Sequence, residues 1–195
     1  MVMIPIRAFE FSSDLDRIAD AFKASIEALG QAYQAAETTY DRYVESGEDD
    51  DEYDEDQVLV SSTRYQLRWE AMQKSMAQAV VREAFVTSIF HFWEYSARYW
   101  TGDQDADFRN LRLKVRALGY PVDSDGLSLL NELNNLLKHD NAKTGAKLFK
   151  RAPRLFWMSS EPKGASWRSA LRITNEYVFQ FIEVVRSSGP IYPAA

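Results

Sequence analysis

Residues 124–140 read SDGLSLLNELNNLLKHD, and the pattern inside that stretch decides the fold class. At about 100° per residue, Leu129, Leu130, Leu133, Leu136 and Leu137 fall in an arc of about 120°, the width of the stripe that a helix turns toward a core. The remaining side carries Asn131, Asn134, Asn135, Lys138 and His139. A solvated helix face is ordinarily built from Glu, Lys, Gln and Arg, whereas each Asn costs about 0.6 kcal/mol relative to Ala because its amide competes for backbone hydrogen bonds. Three Asn and a His on one face therefore point to a site that accepts this cost. Asn131, Asn135 and His139 follow at i, i+4 steps and form a row, while Asn134 stands about 140° around from His139, so that the two flank the polar face.

The segments on either side repeat the helical period. Leu15, Ile18, Ala19, Phe22, Ile26, Leu29, Tyr33, Ala36, Tyr40 and Tyr43 predict a long amphipathic helix, capped by Ser12-Ser13-Asp14 and running to Val44. Val58 to Trp100 holds no Pro or Gly and reads as a second long helix. Its first half is amphipathic through Leu67, Met72, Met76, Ala79 and Val80. Its second half is apolar nearly all round, which makes it the central buried element, with His91 packed in the core. A helix from Ala106 to Leu118 follows, stopped by Gly119 and Pro121. After His139, Asp140-Asn141 and Thr144-Gly145 read as a turn, Ala146–Arg151 as a short basic helix, Leu155-Phe156-Trp157 as an apolar anchor, and Trp167–Arg186 as the last helix. The expectation is an all-α fold, an antiparallel helical bundle of four to five main helices in a single domain over residues 1–195, with a frayed tail from 187.

Residues 45–56, ESGEDDDEYDED, contain nine acidic side chains in twelve, and 45–57 is therefore expected to be a flexible acidic loop between the two long helices. The net charge of −6 hides a division. Between Arg109 and Arg172 lie 13 Lys/Arg and 5 Asp/Glu, a balance of +8, whereas residues 1–108 carry −13. The basic half is the half that contains the Asn/His helix, and a basic face of that kind attracts phosphates. The complementary charges also allow the acidic run to fold over the basic half as a phosphate mimic.

The chain has no Cys, which excludes a disulfide framework, a thiolate metal site and a Cys nucleophile, and fits a cytoplasmic protein. Two His about fifty positions apart, with the carboxylates concentrated in one loop, make a poor metal inventory, and no metal or cofactor is expected. Residues 1–11 do not have the form of a signal peptide, and no window approaches a membrane span. There is no P-loop, dinucleotide fingerprint or nucleophile elbow.

Asn134-Asn135-Leu136-Leu137-Lys138-His139 resembles the R-N-x-x-x-H motif of HEPN domains, all-helical modules of toxin–antitoxin pairs, phage-defence systems and RNA-processing enzymes. Downstream, Lys138 to Gly145 and Ala152-Pro153-Arg154-Leu155-Phe156 are similar to the K-H-G-x-G-x-S and R-P-x-L-F segments of HEPN-like proteins, and Glu94 and Arg98 resemble the acidic and basic positions of the family's other central helix. The likeness covers residues 80–156 and departs from the motif at Asn134, where active members carry Arg.

The resemblance implies a metal-independent endoribonuclease, a toxin or phage-defence effector, in which two copies of the motif face each other across a homodimer. His139 is then the general acid or base, and Asn135 and Asn134 complete the motif. Asn131, Lys138, Arg98 and Lys143 are the candidate substrate-binding residues. Arg98 is also the candidate replacement for the motif Arg. The alternative is a catalytically inactive HEPN-like module that binds nucleic acid or a protein partner such as an antitoxin or defence-system protein. Asn in place of Arg replaces a fixed cationic fork by a neutral hydrogen bond, a change worth about 3 kcal/mol of transition-state stabilisation.

Overall fold

In a computed structural model, which describes residues 6–161, 164 and 166–191, the chain is all-α. The helices are α1 (Ile6–Ser46), α2 (Thr63–Thr101), α3 (Phe108–Ala117), α4 (Ser124–His139), α5 (Ala142–Arg151) and α6 (Asn175–Arg186), with a 3-10 turn at Pro153–Leu155. A two-stranded antiparallel ribbon, β1 (Glu52–Tyr53) and β2 (Leu59–Ser61), joins α1 to α2. The chain divides into two compact units, one formed by residues up to Ala21 together with those from Arg82 onward, the other by Phe22–Val81. No helix among the described residues is long and apolar enough to cross a membrane.

In the first unit α4 packs on both α5 and α6. Asp123 caps α4, its carboxylate accepting from Gly126 N at 2.9 Å, and Gly126 is the point of close approach to α6. A Cβ there would lie 2.5 Å from Val184. The buried face of α4 comprises Leu127, Leu130, Leu133, Asn134, Leu136 and Leu137. α2 supplies Val86, Ile89, Trp93 and Ala97 to the same unit's core, and the Trp93 indole donates to Ser188 O at 2.7 Å. Ser188, Gly189 and Pro190 are buried in consequence, so that the expected frayed tail is packed as far as Pro190; residues 192–195 lie outside the described part.

Several local expectations change. α1 as described begins at Ile6 and continues through the Ser12-Ser13-Asp14 cap signal, with Ala8, Phe11 and Leu15 buried on one side carrying the helical period upstream of it. Met1–Pro5 lie outside the described residues. His91 is not a core histidine: its side chain is 43% exposed, with Nδ1 3.3 Å from Glu94 Oε2. α6 starts at Asn175 instead of Trp167, since 167–170 form a turn and Phe156 bridges Leu171 in an isolated β-bridge. Leu155 and Phe156 are buried while Trp157 is exposed.

In the second unit α1 and α2 touch in opposite senses: Arg68 pairs with Glu37 at 3.1 Å and lies over Tyr40, and Gln78 donates to Leu29 O. Tyr65, Trp69, Met72, Met76 and Val80 are all exposed, whereas Ala71 of the same half of α2 and Phe22 of α1 are buried. The acidic run leads into the short β1–β2 ribbon. Asp54 Oδ1 accepts from Asp56 N and Val58 N at 3.0 and 2.9 Å, Gln57 takes a left-handed conformation, and these close the β1–β2 turn. Asp50 ties the ribbon to both helices by accepting from Tyr43 Oη at 2.5 Å and from Thr63 N at 3.2 Å. That bond to the Asp50 carboxylate pushes the Tyr43 phenol up to about 12.

Candidate functional site

α3 and the start of α4 are held together by arginines. Arg112 Nη1 donates to Ser124 O at 3.0 Å and to Ser128 Oγ at 2.7 Å, while Arg116 Nη2 donates to Ser124 Oγ at 2.9 Å. Arg112 lies over the Phe108 ring at 4.7 Å. α5 then crosses beside α4, its Asn141 cap accepting from Thr144 N at 3.2 Å. The three helices enclose a cleft of about 360 Å³ lined by Phe108 and Arg112 from α3, Ser128, Asn131, Glu132 and Asn135 from α4, and Lys143, Thr144 and Lys147 from α5.

The cleft is electropositive. Burial pushes the Arg112 guanidinium below its usual value, and the charges of Arg116, Arg109 and Arg151 push in the same direction, with Asp125 opposing them. Glu132 is the one carboxylate in the lining. Its Oε1 receives Lys147 Nζ at 2.7 Å and Arg151 Nη1 at 3.1 Å. Lys143 stands one turn before Lys147, exposed and without an ion-pair partner among the described residues. Among the described residues, three buried side-chain polar atoms lack a hydrogen bond: Arg112 Nε, Glu132 Oε2 and Asn134 Oδ1. Leaving such atoms unpaired costs about 1–3 kcal/mol each, and two of the three belong to the cleft lining.

The residues chosen from the sequence separate into groups. Asn131, Asn135 and Lys143 come together in the cleft, and Asn135 Nδ2 donates to Asn131 Oδ1 at 3.3 Å. Lys138 and His139 are exposed at the C-terminal end of α4, outside the lining. Asn134 is 1% exposed and belongs to the core, not to the polar face. The wheel explains this correction: Asn134 lies about 40° beyond Leu130, and Leu127 lies about 20° further round, so the buried arc widens to about 180° and takes Asn134 with it. Arg98 is engaged elsewhere, by Glu94 Oε1 at 3.1 Å and by Gln104 O.

No protein-family model, curated protein or solved structure matches the chain. The site is therefore defined by its own chemistry. No group of three or more His, Asp or Glu side chains that could hold a metal ion is present among the described residues.

Arg112, Ser128, Glu132, Thr144 and Lys147 complete the cleft and were not selected from the sequence. Lys147 carried a readable signal, the i, i+4 spacing from Lys143, which Gly145 between them obscured by imitating a turn. Gly145 is helical and buried under Trp167: a Cβ would meet the indole Cγ at 2.3 Å. Asp140, next to His139, occupies the left-handed C-cap with φ of 43°. Its carboxylate accepts from Arg168 N at 2.8 Å, and the bond from the Ser166 side chain holds it below the usual carboxylate range.

Proposed function

We propose that this chain is a HEPN-like helical module that binds RNA through the cleft between α3, α4 and α5. The observation that carries the reading is the convergence of Asn131, Asn135 and Lys143 with Arg112 and Lys147 on one electropositive cleft. Lysines and an arginine meet phosphate charge, while the Asn amides offer both donors and acceptors to base or sugar edges. Among the residues proposed for catalysis, Asn134 is inside the core, and Arg98, the candidate replacement for the motif Arg, is neutralised by Glu94. Binding is therefore the reading that the geometry favours over cleavage.

Endoribonuclease activity, in a toxin or phage-defence setting and across a homodimer, is the second reading. It is favoured by one observation: His139 is exposed, beside exposed Lys138, and makes no ion pair or hydrogen bond with another described residue, so its imidazole is available as an acid or base.

One experiment separates the two. Total RNA is incubated in EDTA with the wild type and with His139→Ala, and single-stranded RNA binding is measured for both proteins and for Lys143→Gln/Lys147→Gln. Binding weakened by the double lysine change, without cleavage by any protein, is the expected result. Cleavage lost in His139→Ala establishes the enzyme instead. Absence of both binding and cleavage overturns the RNA reading.

A further inference from the structure

Tyr65, Trp69, Met72, Met76 and Val80 follow at steps of four, three, four and four along the first half of α2 and, at about 100° per residue, share an arc of about 80°. Tyr65, Trp69, Met72, Met76 and Ala79 keep the alternating four-and-three spacing of a heptad seam, the pattern by which one helix packs along another. α1 does not fill this seam. The residues that meet α1 are Arg68, over Tyr40 and paired with Glu37, and Gln78, which donates to Leu29 O; they centre about 120° round the helix from the seam. Tyr65, Trp69, Met72, Met76 and Val80 are left between 41% and 64% exposed. Within residues 22–81, all of them described, Phe22 and Ala71 are the only buried apolar side chains.

We propose that this seam is an interface between two copies of the chain, each α2 covering the other. About half of each large side chain is uncovered, so a copy offers about 500 Å² and the pairing removes about 1,000 Å² from water, the lower end of what a specific complex needs. A second copy also fits the seam chemically. No seam position is charged, and Arg68 at its edge is already matched by Glu37, so like meets like without repulsion. Turned antiparallel about the midpoint of Met72 and Met76, the seam sets Trp69 against Ala79 of the second copy and Met72 against Met76 of the second copy. Large side chains then oppose small ones, and the flexible thioethers fill the irregular space between. The proposal rests on neither reading of the α4 site, because no seam residue belongs to the cleft or to the Asn/His helix.

The test is the mass of the full chain by analytical ultracentrifugation between about 1 and 100 µM, since an interface of this size associates in a concentration-dependent way. The wild type is expected to pass from monomer to dimer across that range. Met72→Lys/Met76→Lys places charges where the two seams meet and should raise the dissociation constant about 100-fold or more, with the helical circular dichroism unchanged. Tyr95→Lys, at an exposed position of α2 outside the seam, should dimerise like the wild type. A second measurement needs no variant. Dilute peroxide oxidises exposed methionines, so at the high concentration Met72 and Met76 should be protected relative to Met158, and the protection should disappear on dilution. A wild type that is monomeric throughout overturns the proposal. So does a folded double-lysine variant that dimerises as the wild type does, or a wild-type dimer in which Met72 and Met76 oxidise as fast as in the monomer.

Discussion

Asn135 donates its amide Nδ2 to Asn131 Oδ1 at 3.3 Å, so two residues one turn apart on α4 form a paired amide wall on the cleft between α3, α4 and α5. Such a pair leaves the Asn135 carbonyl, the second Asn135 amide hydrogen and both Asn131 amide hydrogens open.

Because the pair is only half-buried, Asn135→Ala should lower stability by about 1 kcal/mol or less. A chain of this size would then melt about 2–4 °C lower at most. RNA affinity should fall by about 10-fold, the loss expected from one or two hydrogen bonds at a binding site. Thermal denaturation followed by circular dichroism and a filter-binding titration measure the two effects; unchanged RNA affinity removes Asn135 from the site.

Asn134 is expected to behave in the opposite way. It is 1% exposed, its Oδ1 has no partner, and Leu127 and Leu130 flank it on the wheel. Asn134→Leu exchanges an unsatisfied amide for an apolar group of similar size and should raise stability by about 1 kcal/mol, with RNA binding intact. Asn134→Arg should destabilise by about 3 kcal/mol or more, because it places an unpaired guanidinium in the core. A folded Asn134→Arg protein that cleaves RNA would show that this side chain reaches the surface.

Glycine-to-alanine changes in helices should differ in sign by position. Gly30 lies in α1 with nothing within 4 Å of a built Cβ, and Gly30→Ala should stabilise by about 0.5–1 kcal/mol. Gly145 lies under Trp167, with three indole and side-chain atoms between 2.3 and 2.8 Å from the built Cβ. Overpacking there costs about 1–3 kcal/mol and outweighs the propensity gain. Urea unfolding of the two variants reads the difference, and stabilisation of Gly145→Ala would refute the close packing.

Asp140 should make stability acid-sensitive. Its folded value is depressed, first by the Ser166 hydrogen bond and then by the backbone of Arg168. A depressed carboxyl contributes stability that is fully present above the unfolded value of about 3.9 and is lost as pH falls through the folded value. Asp140→Asn tolerates the left-handed backbone and removes the charge. The variant should melt below the wild type at pH 7, and the gap should close between pH 4 and the folded value, whose position below 3.9 the melting curves themselves will give. A gap that persists undiminished into acid means that the carboxylate charge does not hold the 166–168 turn.

What the sequence by itself determined is what local physics controls. The leucine period of residues 124–140 placed α4, Asp123 capped it, and Gly119 with Pro121 stopped the preceding helix, since each of these signals acts within one or two turns of chain. It also selected Asn131 and Asn135, because an Asn-rich helix face is locally unfavourable and stands out. Tertiary structure alone decided the rest. Gly145 is part of a continuous α5 in which Trp167, 22 positions later in the chain, fills the space where a Cβ would stand, and that continuous helix sets Lys147 one turn after Lys143. The side of the stripe boundary on which Asn134 falls depends on how far α5 and α6 wrap α4, a width that no single-helix wheel contains. Arg112 gained Ser128, and Glu132 gained Lys147, only when α3 and α5 closed on α4, because side chains distant in sequence acquire their partners through packing.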